Sequence, residues 1–156
     1  MHKIVDFKDL SKLVNHLSKD HKVLVGGCFD ILHLGHVRFL KAAKKYGRVI
    51  VALESDETLK KHKGHLRPIH KQNERAEVLA NLEAVDFVLL LPYFTSDQEY
   101  FDLVKLVHPH FIAITQSDPL LKNKRQQANA VGAEIIVIPK ISTPSTTQLA
   151  KLLKIE

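Results

Sequence analysis

Short segments that are apolar at every position are the feature of this sequence that most restricts its fold. A strand with this pattern, rather than with apolar residues at alternate positions, is buried on both faces of its sheet. A parallel sheet covered by helices on both faces provides that burial. The sequence therefore predicts an α/β, Rossmann-like fold, in which a five-stranded parallel sheet carries helices on both faces. The predicted strands lie at 23–25, 49–53, 87–91, 111–114 and 135–138.

Apolar residues at helical spacing predict helices before, between and after these strands. Ser55, Ser96 and Ser145 each stand where a helix is expected to begin, as residues that cap helix N-termini do. A lysine-rich stretch, 60–63, is expected to form a loop after the short helix that follows Ser55. The other predicted helices cover 7–17, the segment after His36, 74–82 and 126–131.

The length and composition are those of one small globular domain. The chain has 156 residues, of which 45% are hydrophobic and 26% charged, so we expect a single domain over residues 1–156. No apolar run approaches the ~20 residues of a membrane span, and the first residues lack a signal-peptide pattern, so a cytoplasmic location without membrane association is expected. Cys28 is the only cysteine, which excludes an internal disulfide.

The net charge of +6 raises the question of a nucleic-acid partner. The basic residues cluster at 60–63 and 122–125 without the interleaved aromatic residues of a single-strand binder, and no zinc-finger or basic-helix pattern is present. Solvated helix surfaces explain most such runs, and this is our interpretation of 122–125. The sequence therefore predicts no nucleic-acid partner.

Polar and glycine-containing segments directly follow four of the predicted strands. These segments are 26–36, 55–56, 115–118 and 140–147. The carboxyl ends of parallel strands meet at one edge of the sheet, where ligands of doubly wound folds bind. A single ligand crevice at this edge is therefore expected.

The segment His33-Leu34-Gly35-His36 places two imidazoles where a strand gives way to a helix. Backbone N–H groups at a helix start attract phosphate, and both rings could face the same phosphate group. The alternative is that the two histidines only cap the helix. Cys28, in the turn just before, is expected to be a packing residue rather than a nucleophile.

Two motifs resemble those of the cytidylyltransferase-like nucleotidyltransferases. Residues 27–36 are similar to the pattern G-x-F-D-x-x-H-x-G-H, and residues 145–147 are similar to the closing S-T-T of that family. Within the family, the adenylyltransferases of ADP-heptose synthesis are the most similar, because they also resemble the chain at 2–5, 63–68, 74–79 and 83–86. The resemblance implies transfer of a nucleoside monophosphate from ATP or CTP to a small phosphorylated metabolite, a heptose-type sugar 1-phosphate above others, with release of pyrophosphate.

The chain departs from that subfamily at three places. Gly26 replaces an asparagine, residues 115–119 read T-Q-S-D-P where the subfamily has K-G-G-D-Y, and Pro144 precedes the S-T-T. In the family the loop matched by 115–119 lies beside the nucleotide and acceptor, so these changes leave the acceptor and the base open. The alternatives are a glycerol-3-phosphate cytidylyltransferase-like enzyme and a nucleotide-binding protein without catalysis, including one whose basic surface serves RNA.

The resemblance also implies roles for individual residues. His33 and His36 would donate hydrogen bonds to the α-phosphate as catalytic residues, and Lys63, with Lys61 as a second candidate, would pair with the phosphates. The hydroxyls and N–H groups at the start of the last helix would bind the β- and γ-phosphates. Surface lysines and an ordinary helix cap are the structural alternatives. The nucleotide-binding set implied in this way is Gly27, Cys28, Phe29, Asp30, Gly35, Lys61, Arg75, Asp118, Lys140, Ser145, Thr146 and Thr147.

Three members of this set have specific alternatives. Asp30 is expected to brace the loop through backbone hydrogen bonds. Arg75 could equally be an exposed helix arginine, and Asp118 could be an ordinary loop aspartate. The resemblance further implies Mg²⁺ carried with the triphosphate, and a homodimer. The ten histidines lack the spacing of a zinc site, so no protein-bound metal is predicted.

Overall fold

A computed structural model describes residues 1–154 of the chain. Within that part of the chain, strands and helices alternate along most of the sequence. The strands are β1 Ile4–Asp6, β2 Lys22–Gly27, β3 Arg48–Leu53, β4 Phe87–Leu90, β5 Phe111–Thr115 and β6 Glu134–Ile138. The helices are α1 Leu10–His16, α2 Leu34–Lys44, α3 Asp56–Lys63, α4 Gln72–Ala80, α5 Asp97–Val107, α6 Leu121–Val131 and α7 Thr146–Leu152, and a 3₁₀ turn, Phe7–Asp9, precedes α1.

The strands form one parallel sheet in the order β1-β4-β3-β2-β5-β6. The parallel α/β prediction is confirmed, but the predicted number of five strands is wrong, because the sheet has six. The missed strand, β1, is three residues long and buries only Val5. An edge strand this short has no apolar run, so the pattern that indicates the other strands is missing.

The side of the sheet on which new strands are added changes between β2 and β5. Strands β3 and β4 follow β2 on one side, whereas β5 and β6 lie on the other. β2 and β5 pair only at Val23 with Phe111 and Leu24 with Ile112, near their amino-terminal ends. Beyond these pairs the two strands are no longer hydrogen-bonded, and a crevice opens between their carboxyl ends. Doubly wound sheets bind ligands at this point, where the strand order reverses.

The core consists of two apolar clusters, one on each face of the sheet. Along β2, Val23 and Val25 belong to one cluster, and Leu24 belongs to the other. Burial on both faces explains why the strand is apolar at consecutive positions. The rigid sheet fixes the loops at its carboxyl edge.

The helix predictions differ from the structure mainly at their ends. The lysines at 60–63 lie in α3 and not in a loop, because the helix continues to Gly64, whose φ of 95° ends it. Helix α6 begins at Leu121, five residues before the predicted start, without a side-chain cap to mark it. Helix α5 begins after Ser96 as predicted. In the part of the chain that the structure describes, no helix combines the length and apolarity that crossing a bilayer requires.

Candidate active site

The turn after β2 presents a strained backbone to the crevice. Phe29 adopts a positive φ of 45°, which costs about 1–3 kcal/mol for a residue with a bulky side chain. Gly27 makes room for this conformation, since a Cβ at Gly27 would lie 2.7 Å from the Phe29 ring. The Phe29 ring in turn packs against His36, with 5.0 Å between the ring centroids.

Asp30 braces this turn from inside the protein. Its carboxylate accepts hydrogen bonds from the Arg67 guanidinium and from the backbone N–H groups of Ile69 and His70. Burial would raise the pKa of Asp30, but the bonds from Arg67, His70 and Ile69 outweigh it and hold that pKa below its usual value. The structure therefore places Asp30 as a support of the site, outside the crevice.

Arg75 also supports the turn from within. It is 1% exposed, so the alternative of an exposed helix arginine is wrong. Its guanidinium donates to the carbonyls of Cys28 and Glu54 and pairs with Asp56 at 2.7 Å. These bonds tie the turn after β2 to the turn after β3.

His33 and His36 lie just before and inside the first turn of α2, as the sequence predicts, and their rings stack. Their ring centroids are 3.8 Å apart, at an angle of 28°. His33 caps the helix, and its Nδ1 accepts a hydrogen bond of 3.1 Å from the backbone N–H of Gly35. Because Nδ1 accepts, the neutral ring of His33 carries its proton on Nε2, which is left as a donor.

His36 is neutral in the free protein. Burial, the neighbouring His33 and the charge of Lys63 lower its pKa to about 4, although the Ile31 carbonyl acts in the opposite direction. Its Nδ1 is buried and has no partner of regular hydrogen-bond geometry among the described residues. A phosphate anion beside the pair would favour the protonated ring, since an opposite charge stabilises it.

The start of α7 closes on the same crevice. Ser145 caps the helix, with its hydroxyl accepting from the N–H of Gln148, and Thr146 is buried with its hydroxyl donating to the Ile31 carbonyl. The preceding loop touches the start of α2, because a Cβ built on Gly35 would meet Thr143 at 3.0 Å. The two motifs are therefore adjacent, although 115 positions separate Ile31 from Thr146.

A cavity of about 440 Å³ lies between these two helix starts. Nine residues of the predicted site line it: Gly27, Cys28, Phe29, His33, Gly35, His36, Asp118, Lys140 and Ser145.

Six predicted residues do not line this first cavity. Thr146 is turned inward, and Thr147, Lys61 and Lys63 are exposed. Of these, Lys63 acts on the site through its charge, which lowers the pKa of His36. Asp30 and Arg75 are buried behind the turn and hydrogen-bonded there.

A second cavity, of about 490 Å³, lies on the other side of the β2 turn. It shares Gly26, Gly27, Cys28 and Lys124 with the first cavity. Its polar lining includes Glu54, Asp97 and Tyr100, and most of its apolar lining comes from β2, β3, β5 and α5. Burial raises the pKa of the Cys28 thiol, which stands between the cavities, so Cys28 is uncharged there.

Glu54 and Tyr100 form a polar pair in the second cavity. The Tyr100 hydroxyl donates to Oε2 of Glu54 at 2.9 Å, and burial raises the pKa of Glu54. Neither residue was predicted for the site. The position of Glu54 directly after a buried strand could have indicated it, whereas Tyr100 lies on a helix with no local signal.

Lys124 was also missed, since it lies within a basic run that we interpreted as a solvated surface. Its ammonium pairs with Asp118 at 2.6 Å, and the two side chains are only 21% and 13% exposed. The carboxylate of Asp118 also accepts from the N–H of Leu120. Asp118 therefore lines the first cavity as the ion-pair partner of Lys124.

Residues 24–149 match the model of the cytidylyltransferase-like family. The chain is 39% identical over 154 residues to the bifunctional protein HldE of a Nitratiruptor species, covering 97% of this chain and 32% of that protein. It is 37% identical over 142 residues to the FAD synthase of Thermococcus sibiricus, covering 87% of this chain and 92% of that protein. The chain thus spans about a third of the length of the HldE relatives.

Two solved structures share the fold. A lipopolysaccharide core biosynthesis protein from Thermoplasma volcanium is 25% identical, with a TM-score of 0.63 over 80% of this chain and 98% of that one. A pantoate-beta-alanine ligase from Francisella tularensis is 19% identical, with a TM-score of 0.68 over 92% of this chain and 69% of that one. The second of these shows a likeness of fold alone.

Proposed function

This chain belongs to the cytidylyltransferase-like nucleotidyltransferases, and from that premise we propose that it transfers a nucleoside monophosphate from a triphosphate to a small phosphorylated metabolite. We further propose ATP as the donor and a heptose-type sugar 1-phosphate as the acceptor.

One observation carries this proposal: the stacked histidines and the start of α7 line the same cavity. In nucleotidyl transfer an acceptor oxygen attacks the α-phosphorus in line, pyrophosphate leaves, and negative charge accumulates on the phosphoryl oxygens. Positioned donors that meet this charge lower the barrier without a covalent intermediate. His33 and His36 would act on the α-phosphate, while the N–H groups at the start of α7 and Lys140 would face the distal phosphates.

Two kinds of relative support ATP and a sugar phosphate. The HldE relatives match nearly the whole chain, which agrees with the motif resemblance to the adenylyltransferases of ADP-heptose synthesis. The structural neighbour from Thermoplasma volcanium is described as a lipopolysaccharide core biosynthesis protein. CTP with glycerol 3-phosphate is the runner-up within the family.

The similarity to an FAD synthase supports a second candidate, adenylyl transfer to a flavin phosphate. This chain covers 92% of that relative but only about a third of the HldE relatives. The two candidates share the donor and differ in the acceptor, so assays with both acceptors distinguish them.

Mg²⁺ is expected to enter with the triphosphate as part of the substrate, because Mg²⁺ at phosphates uses few protein ligands. The residues that the structure describes contain no group of three or more histidine, cysteine, aspartate or glutamate side chains placed to hold a metal. A homodimer stays a prediction from the resemblance, which sedimentation would test.

Release of pyrophosphate tests the proposed function. ATP and CTP would each be offered with heptose 1-phosphate, glycerol 3-phosphate and flavin mononucleotide, in the presence of Mg²⁺. We expect release with ATP and heptose 1-phosphate, and a loss on the order of 10²–10³ in turnover for His36→Ala. No release with any pair would leave a nucleotide-binding protein without catalysis.

A further inference from the structure

We propose that Lys124 binds the phosphate of the acceptor at the boundary of the two cavities and holds its attacking oxygen towards the α-phosphorus. This inference rests on the proposed transfer reaction and names a residue of its acceptor site. The ligand class is a phosphate monoester in the second cavity, next to a triphosphate in the first.

The position of Lys124 is the first reason. Among the described residues, four line both cavities, and Lys124 is the only one of them with a charged side chain. The other three, Gly26, Gly27 and Cys28, have small side chains or none. Lys124 is therefore placed where a ligand in either cavity could contact its side chain.

The surroundings of Lys124 are the second reason. Asp118 holds the ammonium at 2.6 Å on the side of the first cavity. On the side of the second cavity, the charge of Lys124 reaches Glu54 and opposes the rise of its pKa. An ammonium has three donors, so the bond to Asp118 leaves two for phosphate oxygens.

The reaction needs a cation at this boundary. The acceptor phosphate and the triphosphate are both anions, and they must approach until an oxygen of one contacts the phosphorus of the other. The Lys124 ammonium, whose charge is partly balanced by Asp118 at 2.6 Å, offers its remaining N–H donors to oxygens of these anions and so reduces their repulsion. No other cationic side chain of the described residues lines both cavities.

Three variants test the proposal. Lys124→Met keeps the length of the side chain and removes its charge. Lys124→Arg keeps the charge. Lys122→Met is the matched control, because Lys122 lies on the same helix, is exposed and lines neither cavity.

The first measurement is kcat/KM for the acceptor, from pyrophosphate release, together with the Kd for ATP from calorimetry. We expect Lys124→Met to lower kcat/KM for the acceptor by about 10- to 100-fold, as the loss of a charged hydrogen bond does. The Kd for ATP should stay close to that of the wild type, Lys124→Arg should recover part of the loss, and Lys122→Met should behave as the wild type.

Two results of this measurement would overturn the proposal. An unchanged acceptor kcat/KM in Lys124→Met would show that no phosphate depends on the ammonium. An equal loss of ATP affinity would show that Lys124 only fastens Asp118 and its loop to the wall of the first cavity.

A second measurement distinguishes a failure of this proposal from a failure of the proposed function. Binding of heptose 1-phosphate, glycerol 3-phosphate and flavin mononucleotide would be followed by calorimetry in the presence of α,β-methylene ATP, which cannot react. If the wild type releases no pyrophosphate, the proposed function fails. In that case the proposed role of Lys124 is still supported if one of these phosphate esters binds to the wild type and to Lys122→Met but not to Lys124→Met. The proposal is overturned if the ester binds to all three proteins alike, or to none of them.

Discussion

Replacing Gly35 by alanine should disable the histidine pair without removing any functional group. A Cβ at this position would lie 2.8 Å from Cε1 and 2.9 Å from Nδ1 of His33, and 3.0 Å from Cγ2 of Thr143. Carbon atoms in contact are ordinarily about 3.5–4.0 Å apart. The His33 ring must therefore move by roughly 0.7–1.2 Å, since it is a side chain and the helix backbone is fixed.

The magnitude follows from that displacement. A misplacement of about 1 Å at a reacting group costs on the order of 10²-fold in rate. Moving the ring also breaks the cap bond from the Gly35 N–H, at a cost of about 0.5–2 kcal/mol, but alanine inside a helix is about 0.5–1 kcal/mol more favourable than glycine, so the fold should weaken little. Gly35→Ala should thus lower turnover about 100-fold and leave the melting temperature near that of the wild type.

Turnover from pyrophosphate release and melting by circular dichroism would be measured on Gly35→Ala and His33→Ala side by side. The two variants should lose similar amounts of activity, since both deprive the α-phosphate of the same donor. Wild-type turnover in Gly35→Ala would refute the reasoning, because it would show that the position of the His33 ring does not matter. A large loss of stability would show instead that the clash reaches the backbone.

Three further predictions concern stability and titration. Asp30→Asn removes the buried carboxylate that accepts from Arg67, Ile69 and His70, so we expect a loss of about 3–5 kcal/mol and a melting temperature lower by about 6–20 °C, whereas Asp9→Asn, at an exposed ion pair, should melt like the wild type. His36 has a folded pKa of about 4, below the 6.5 of the unfolded chain, so its contribution to stability is complete above pH 6.5 and falls as the pH drops towards 4. His36→Gln should reduce the pH dependence of unfolding in that window, and a curve parallel to the wild type would contradict this sign. Lys63→Met should raise the pKa of His36 in an NMR titration, because the charge of Lys63 lowers it, while Lys61→Met should leave that titration unchanged.

The parts of the fold that the sequence predicted are those in which the pattern is local. Each of the five predicted strands contains a run of consecutive apolar residues, largely buried in β2 to β5 and partly exposed in the edge strand β6. The H-x-G-H segment falls at a strand-to-helix turn, so the sheet edge and the histidine pair could be placed. The strand β1 could not, because three residues of which one is buried have no recognisable period. The lysines of α3 were expected in a loop because the family resemblance implies a phosphate-contacting loop there, whereas the helix continues to Gly64.

The residues of the site that were missed depend on contacts between distant positions. Glu54 and Tyr100 are 46 positions apart, and only the packing of α5 against the sheet brings them together. Arg75 is buried because four separate backbone and side-chain groups converge on it, which no helical pattern reveals. Lys124 differs from Lys122 only in the direction that its side chain takes from α6, so a basic run in the sequence does not separate the two.

A crystal structure with α,β-methylene ATP and Mg²⁺ bound would test the central claim most directly. We predict the nucleotide in the cavity between the starts of α2 and α7, with oxygens of the α-phosphate within about 2.7–3.2 Å of ring nitrogens of both His33 and His36. The distal phosphates should face the backbone N–H groups at Thr146 and Thr147. A nucleotide in the second cavity, or an α-phosphate out of reach of both imidazoles, would contradict the account.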